Sequence, residues 1–418
     1  AGAPGGGGGG RIAVVYNAAA QSNLNLTARP SVAISASGGL NGWAVVDRYG
    51  RPGTIYLTDN SFFPSNGVVQ NGQFLFASAS NLVFDSLVIT NSMVVFNGGT
   101  VTVSNTISVV NAAAGLEIIN GMISAGGNVT VNAGRLNVGT DPLYSVVRGQ
   151  NSLTVGGSLV ITNGGAMRVY AGPTNAAPDY GALVSVAGNM AIASNAWVYP
   201  YSDTTNGGSA LFQIGYLYIA GYTNGGINAD GAGYGGGALS GGYGYGPGRG
   251  GGATSRGAGY GGYGANYTAL SGQTYGSTNM PLDAGSGGGC GNGDGWTGGS
   301  GGGLVRLEIG HWLTLDGTIR ANGAAGPGNW CGGGSGGAIY IRCKRLMGNT
   351  GVLSAAGGGN NLQGGAGGGG RMAIWYVANL APGLSTNVAA GTGQVGSAAP
   401  GTVFFGLAAV PGTVFVVH

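Results

Sequence analysis

A glycine segment followed by an alternating strand recurs along the C-terminal half of the chain. The copies are residues 296–323, 330–357 and 367–391, with a weaker copy at 212–231, and the first two lie 34 residues apart. The three clear copies each contain a glycine run, a strand, a turn and a second strand, followed by an alanine and a glycine that are adjacent or one residue apart. A single repeat of this kind cannot bury its apolar face alone, so the copies must stack on one another. The repeat therefore predicts a solenoid.

A related sequence module occurs near both ends of the chain. Residues 5–16 run from glycines into Arg-Ile-Ala-Val-Val-Tyr, and residues 52–57 read Pro-Gly-Thr-Ile-Tyr-Leu. Residues 367–376 and 400–405 repeat this order, and Pro-Gly-Thr-Val recurs at 411–414. We expect an elongated, modular protein, which is either a processed piece of a longer precursor or one unit of a head-to-tail array.

Short strands separated by Asn and Gly fill the middle of the chain. Residues 80–224 contain runs of three to five alternating, β-branched residues, and Asn-Gly pairs such as Asn163-Gly164 supply the turns. A sandwich of antiparallel hairpins and a right-handed parallel β-helix both fit this pattern. The short, even strands favour the β-helix, because stacked coils let each strand pair on both sides. The predicted fold class is all-β: a right-handed parallel β-helix or solenoid with a glycine-rich, polyglycine II-like repeat section.

Five segments follow from these patterns. They are an N-terminal module (1–79), β-helix coils (80–224), a Gly/Tyr-rich segment (225–303), the glycine-rich β repeats (296–395) and apolar C-terminal strands (396–418). The Gly/Tyr-rich segment is either a flexible linker or a packed layer of extended glycine helices with tyrosine spacers. The regular repeats that follow favour the packed layer.

Composition narrows the class of protein. Hydrophobic residues make up 43% of the chain, enough to build a core, so the glycine content does not indicate global disorder. Charged residues make up only 6%, with a net charge of +3 and scattered arginines, which argues against a nucleic-acid partner. We expect no membrane-spanning segment, since no apolar run approaches about 20 residues. The surface, rich in Asn, Ser, Thr and Gly, predicts an extracellular or cell-surface location.

The module order carries a resemblance to a known class of protein. A glycine run, Arg-apolar-Ala-apolar-x-Tyr (11–16 and 371–376), an Ala-Gly turn and Pro-Gly-Thr-apolar-aromatic resemble modules of large glycine-rich parallel β-helix surface proteins of bacteria. Those proteins are similar to autotransporter adhesins, and the glycine ribbons loosely resemble those of phage tail-tip adhesins. The resemblance implies secretion, surface display and an adhesive or structural role.

Three cysteines predict one disulfide and one free thiol. Cys290 and Cys331 both lie in glycine segments, and we expect them to form the bridge. Cys343 aligns with strand positions Ile309 and Tyr376, so it should point inward as a small hydrophobic residue. A bridge between two glycine segments should stabilise the fold by about 2–4 kcal/mol.

Catalytic chemistry has little support in the sequence, and we predict that the protein is not an enzyme. Parallel β-helix lyases and glycosidases use paired carboxylates or bound calcium. This chain has only Glu117 and Glu308 beside ten scattered aspartates, and His311 stands alone. A polysaccharide lyase or glycosidase is the third-ranked alternative, and no catalytic or cofactor-binding residue is expected. Calcium is the one metal to consider, at Asp230 and Asp294, where simple turn aspartates are the favoured interpretation.

The favoured function is an extracellular structural protein that assembles with copies of itself into a surface fibre or coat. An apolar C-terminus should dock by strand addition on the matching N-terminal module of the next copy. The residues expected at this joint are Val403, Phe404, Phe405, Val414, Phe415 and Val416.

The runner-up function is an adhesin that binds carbohydrate or other surfaces through Tyr-Gly loops. Its candidate residues are Tyr234, Tyr243, Tyr245, Tyr260, Tyr263, Tyr267 and Tyr275. Glycans on the chain itself are expected at the sequons of Asn25, Asn128 and Asn266 if the host attaches them. Trp296 and Trp330 recur at the repeat spacing, which favours a structural ladder over a stacking face for sugar rings.

Overall fold

The described part of the chain contains strands and no helix. A computed structural model describes residues 7–17, 34–39, 52–63, 67–76, 81–140, 151–173, 178–221, 224–238, 241–252, 256–265, 272–291 and 296–408. It is 45% strand and 0% helical, with a long and mostly parallel sheet of many strands. The predicted all-β parallel solenoid is confirmed, and the alternative of antiparallel hairpins is wrong because the strands pair in parallel. Among the described residues, no helix is long and apolar enough to span a membrane.

The chain divides into two compact units, which are residues Ala1–Arg168 with Ser185–Gly188 and residues Val169–Val184 with Asn189–His418. The strands of unit 1 are β1 (Arg11–Val14), β2 (Thr54–Leu57), β3 (Val68–Val69), β4 (Gln73–Phe76), β5 (Leu82–Phe84), β6 (Leu87–Ile89), β7 (Met93–Val103), β8 (Ile107–Val109), β9 (Gly115–Ala125), β10 (Val129–Asn132), β11 (Arg135–Val138), β12 (Asn151–Val155) and β13 (Leu159–Thr162). Two further strands, β14 (Ala166–Tyr170) and β15 (Ala182–Ile192), contain residues of both units.

Unit 1 contains three ladders of parallel strands. The first pairs β1, β2, β4, β7, β9 and β11 in that order. The second pairs β5, β7, β9 and β12, and the third pairs β3, β6, β8, β10 and β13. Because strands two coils apart share no hydrogen bonds, each coil is held by its neighbours, as in a solenoid.

The core of unit 1 consists of columns of apolar side chains stacked from coil to coil. Phe76 stacks on Phe96 with ring centroids 5.1 Å apart, and Phe63 packs edge-on against Phe84 at 4.8 Å. Corners between strands use asparagine in the left-handed conformation, for example Asn163 with φ 53°. Asparagine tolerates positive φ because its short side chain bonds to the local backbone. The alternating pattern therefore sets the columns, and the asparagines set the corners.

Unit 2 contains the glycine-rich repeats. Its strands are β16 (Trp197–Tyr201), β17 (Ala210–Ile219), β18 (Gly226–Asn228), β19 (Leu304–Ile309), β20 (Trp312–Leu315), β21 (Thr318–Arg320), β22 (Ala338–Arg342), β23 (Arg345–Met347), β24 (Val352–Ser354), β25 (Asn360–Gly365), β26 (Arg371–Tyr376), β27 (Ala378–Leu380), β28 (Ser385–Asn387), β29 (Gly393–Val395) and β30 (Thr402–Leu407).

Three parallel ladders also organise unit 2. They pair β17, β19, β22, β26 and β30; β17, β20, β23 and β27; and β16, β18, β21, β24 and β28. β25 pairs with β29 in a separate two-stranded sheet. Leu304 pairs with Ala338, and Ala338 pairs with Arg371, so each glycine-rich repeat makes one coil of the solenoid.

Glycine segments between the strands form a hydrogen-bonded layer with a period of three residues. In the segment 332–337, Gly332 and Ser335 donate to residues 289 and 286, at 2.7 and 3.0 Å. Gly333 and Gly336 donate to residues 365 and 368, both at 2.9 Å. Gly334 and Gly337 donate to residues 324 and 321. A helix with three residues per turn presents its amides in this way to three neighbouring chains.

Candidate functional site

The two copies of the repeated module have the same strand pairing. In the N-terminal module, defined as residues 7–17, 34–39 and 52–57, Arg11 of β1 pairs with Thr54 of β2. In the C-terminal module, defined as residues 367–376, 388–391 and 398–407, Arg371 of β26 pairs with Thr402 of β30. Both pairs are parallel, and both follow a glycine directly. The sequence repeat therefore corresponds to a structural repeat.

The hydrogen bonds between glycine segments and Ala-Gly turns also correspond. In the N-terminal module, Gly39 N donates to Gly7 O and Gly53 N donates to Ala36 O, both at 2.7 Å.

In the C-terminal module, Gly391 N donates to Gly367 O at 2.9 Å and Gly401 N donates to Val388 O at 2.8 Å. A Cβ added at Gly369 would collide with Val388 O and Gly401 N. The equivalent position in the N-terminal module is Gly9, where a Cβ would collide with Ala36 O and Gly53 N.

β30 exposes side chains that belong to a core column. Met372 and Ile374 of β26 are fully buried, and they pair with Val403 and Phe405 of β30. Val403 and Phe405 are nevertheless 36% and 44% exposed, and Leu407, on the same face, is 74% exposed. Within the described residues, β30 pairs with β26 alone. The apolar column of this ladder therefore reaches the surface at β30.

β1 is the corresponding edge of unit 1. It pairs with β2 alone among the residues that the structure describes. Ile12 and Val14 pair with the fully buried Ile55 and Leu57, yet both are only half-buried. An edge strand with apolar side chains and unpaired backbone groups favours addition of another strand. β1 and β30 thus offer matching edges on two separate units.

The predicted joint residues divide between two faces of β30. Val403 and Phe405 lie on the column face, whereas Phe404 lies on the opposite face with its ring 5.2 Å from Trp375. Val414, Phe415 and Val416 lie outside the described residues. Leu407 was not predicted, although strict alternation along the strand places it on the same face as Phe405.

Tyr260 is enclosed between the Gly/Tyr-rich segment and the first ladder of unit 2. It is fully buried with Leu304 and Ala338, and its ring lies 4.6 Å from that of Tyr275. Arg371 lies over the Tyr260 ring at 5.5 Å. Burial raises the pKa of the Tyr260 and Tyr275 hydroxyls. This part of the segment is therefore packed against the strands.

The tyrosines predicted to bind surfaces have different environments. Tyr243 and Tyr245 are 62% and 49% exposed, and Arg249 lies 5.3 Å from the Tyr243 ring centroid. Tyr234 is buried, and its hydroxyl donates to Asn206 O at 2.9 Å. Tyr263 and Tyr275 are half-buried, and Tyr267 lies outside the described residues. Of the described candidates, only Tyr243 and Tyr245 are exposed.

The predicted disulfide is confirmed. Cys290 and Cys331 are bonded and lie in neighbouring antiparallel glycine segments. On either side of the bridge, Gly291 N donates to Trp330 O and Gly332 N donates to Gly289 O, both at 2.7 Å.

Cys343 is buried and free, as expected from its alignment with inward strand positions. Desolvation raises the pKa of its thiol to about 12, so it is not a reactive cysteine.

The aspartate predicted as a weak calcium ligand has protein partners. Asp230 Oδ2 lies 2.8 Å from Arg320 Nε, and Asp230 Oδ1 accepts a hydrogen bond from the backbone N–H of Asn322 at 2.7 Å. Burial raises the pKa of the Asp230 carboxyl, and these two partners oppose that shift. Asp294 lies outside the described residues. In the part of the chain that is described, no group of three metal-binding side chains occurs.

The two tryptophans of the repeat and His311 lie at the surface. Trp296 and Trp330 are exposed, and the Trp296 ring lies against Gly328. His311 stacks on Tyr216 with ring centroids 4.6 Å apart.

The two glutamates and the described sequon asparagine have the following surroundings. Glu308 Oε1 forms an ion pair with Arg306 Nη2 at 2.8 Å. Burial raises the pKa of the Glu117 carboxyl. Asn128 is exposed, with Oδ1 accepting the Ser158 amide; Asn25 and Asn266 lie outside the described residues.

Comparison with known proteins found no matching family model, no matching curated protein and no matching solved structure. The resemblance to bacterial surface proteins therefore stays a prediction.

Proposed function

We propose that this chain is an extracellular, non-enzymatic structural protein that stacks end to end, β30 of one copy on β1 of the next, in a surface fibre or coat. The observation that carries the proposal is the exposed core column at Val403 and Phe405, which are the partners of fully buried residues. Fully burying a large exposed apolar side chain is worth about 1.5–3 kcal/mol, and covering the exposed parts of Val403 and Phe405 contributes a fraction of this to a joint.

The register of the joint follows from the ladder. Ala338, Arg371 and Thr402 follow a glycine directly and pair in sequence. Arg11 also follows a glycine, so in-register stacking pairs Arg11 with Thr402 of the neighbouring copy. This places Ile12 beside Val403 and Val14 beside Phe405. The inward columns then continue from one copy into the next.

The disulfide supports the extracellular location. Bridges such as Cys290–Cys331 form and persist in oxidising compartments and are rare in the cytosol. The polyglycine II-like layer supports a structural role, because a close-packed glycine lattice holds the coils together without charged or catalytic side chains.

The proposal is tested by placing a charge in the joint. Phe405→Glu puts a carboxylate on the exposed column, whereas Leu380→Glu makes a comparable change at a residue of β27 that is 58% exposed. Sedimentation and negative-stain electron microscopy should show fibres for the unmodified chain and Leu380→Glu, and monomers for Phe405→Glu. Equal assembly of both variants would refute β30 as the joint.

A second candidate function is adhesion through exposed aromatic rings. Tyr243 and Tyr245 are exposed on the Gly/Tyr-rich segment, and aromatic rings presented this way suit stacking on sugar rings. Binding to a glycan array that is lost in Tyr243→Ala/Tyr245→Ala, and kept in the control Leu380→Ala, supports this function. No glycan binding by the unmodified chain excludes it for the glycans tested.

A further inference from the structure

One side of the glycine segment 7–10 is not covered by any of the residues that the structure describes. In unit 2, the equivalent segment 367–370 is enclosed by other chain segments on several sides, including residues 258–262 of the Gly/Tyr-rich segment. The following coil covers one side, where Gly391 donates to Gly367 O and Thr402 donates to Gly370 O at 3.0 Å. The preceding coil covers the other side, where Gly336 donates to Gly368 O and Arg371 donates to Gly337 O.

The side facing the preceding coil is so close that it excludes any side chain. A Cβ added at Gly367 would collide with Gly334 O, and a Cβ added at Gly370 would collide with Gly337 O. Two glycine segments therefore lie backbone to backbone there. This is the approach that only glycine permits.

Within the described ranges, the N-terminal module shows the first contact and not the second. Gly39 donates to Gly7 O, as Gly391 does to Gly367 O. A Cβ added at Gly7 or Gly10 would meet no atom of the described residues within 4 Å, and both glycines are exposed. A glycine surface that is covered in one copy of the module is therefore exposed in the other.

We propose that residues 398–401 of a second copy of this chain occupy that open side. This inference rests on the proposed end-to-end function and specifies its joint. Residues 334–337 directly precede β22, residues 367–370 precede β26, and residues 398–401 precede β30. When Arg11 pairs with Thr402 of the second copy, residues 7–10 lie on residues 398–401 as residues 367–370 lie on residues 334–337.

The glycine contact gives the joint its selectivity. Gly7 then faces Ala398 O of the second copy, and Gly10 faces Gly401 O. A side chain on Gly7 or Gly10 would collide with these oxygens, so the close approach requires glycine at both positions. The partner chemistry is thus an extended Ala/Pro/Gly backbone directly before an apolar parallel strand, which residues 398–401 and β30 of this chain supply.

The test is the double variant Gly7→Ala/Gly10→Ala. Its two methyl groups point into open space in the single copy, so the circular dichroism spectrum and unfolding midpoint should match those of the unmodified chain. In the joint they collide with the neighbouring backbone, and the concentration needed for assembly should rise about tenfold or more. Gly310→Ala is the matched control, since Gly310 is exposed and a Cβ there makes only ordinary contacts.

The outcomes separate this inference from the proposed function. Assembly by the unmodified chain and the control, with loss in the double variant, supports the glycine contact. Assembly of all three at the same concentration overturns the glycine contact and leaves the β30 joint standing. A chain that stays monomeric at every concentration overturns both.

Discussion

The guanidinium carbon of Arg371 lies 5.5 Å from the centre of the Tyr260 ring. Arg371 is itself buried, its Nε donates to Tyr275 O at 2.9 Å, and its Nη1 donates to Thr402 Oγ1 at 3.2 Å. One side chain thus connects the Gly/Tyr-rich segment, β26 and the edge strand β30. This explains how a segment composed largely of glycine and tyrosine is ordered where it meets the strands.

Alkaline pH should destabilise the protein through the enclosed hydroxyl groups of two tyrosines. Burial raises the pKa of Tyr260 and Tyr275 above the ordinary value of 10.0, so the folded state favours their neutral forms. Their contribution to stability is complete below pH 10 and is lost as the pH rises further. Each such tyrosine should reduce the free energy of unfolding by about 1.4 kcal/mol per pH unit.

Tyr260→Phe isolates one of these tyrosines. Urea unfolding between pH 9 and pH 11 should show a shallower decline for this variant than for the unmodified chain. Tyr243→Phe, which removes the hydroxyl of a tyrosine that is 62% exposed, is the matched control. Parallel declines for Tyr260→Phe and the unmodified chain would show that the Tyr260 hydroxyl ionises as readily in the fold as in the unfolded chain.

Removing the disulfide should weaken the glycine layer. The bridge joins residues 41 positions apart, and restriction of the unfolded chain over such a loop corresponds to about 4 kcal/mol at most. Cys290→Ser/Cys331→Ser should therefore unfold about 2–4 kcal/mol more easily. Reductant should lower the stability of the unmodified chain to that of the variant, and an unmodified chain insensitive to reductant would contradict the bridge.

Cys343 should be unreactive in the native state. Its thiol is buried, and its pKa is raised to about 12, so almost no thiolate is present at pH 8. Iodoacetamide should leave the native protein unlabelled and add one group per chain after unfolding without reductant. Rapid labelling of the native protein, measured by intact mass, would place Cys343 at the surface instead.

The layer should be intolerant of a methyl group at its interior positions. A Cβ at Gly336 would collide with Ala355 O, because neighbouring backbones approach too closely for any side chain. Gly336→Ala should lower the free energy of unfolding by about 1–3 kcal/mol. Gly310→Ala, with only ordinary contacts, should change it by less than about 1 kcal/mol; equal stability of the two variants would contradict close packing.

Local patterns in the sequence were sufficient to predict the fold class and the pairing of the two disulfide cysteines. Alternation of β-branched residues, asparagine at the corners and the repeat spacing all favour short parallel strands. The alignment of repeats also placed Cys343 inward, since residues at equivalent positions of stacked coils share a column. These features depend on period and register, which a sequence displays directly.

The environments of individual tyrosines and phenylalanines were not predictable in the same way. Tyr260 and Tyr243 have similar Gly-Tyr-Gly contexts, yet one is fully buried and the other is exposed. Burial of Tyr260 depends on Leu304 and Ala338, which are distant in sequence. Phe404 and Phe405 face opposite sides of β30. Pairing with β26 determines which side continues the buried column, and composition does not show this.

The most direct test of end-to-end stacking is a cysteine pair across the proposed joint. In Arg11→Cys/Thr402→Cys, the two new thiols meet only between copies stacked in register, and the native bridge and buried Cys343 leave them free to pair with each other. Mild oxidation should give a series of disulfide-linked oligomers on a non-reducing gel. Ala13→Cys/Thr402→Cys, two residues out of register, should give far fewer. Monomers alone in the in-register variant, or equal linkage in both, would contradict the stacking that we propose.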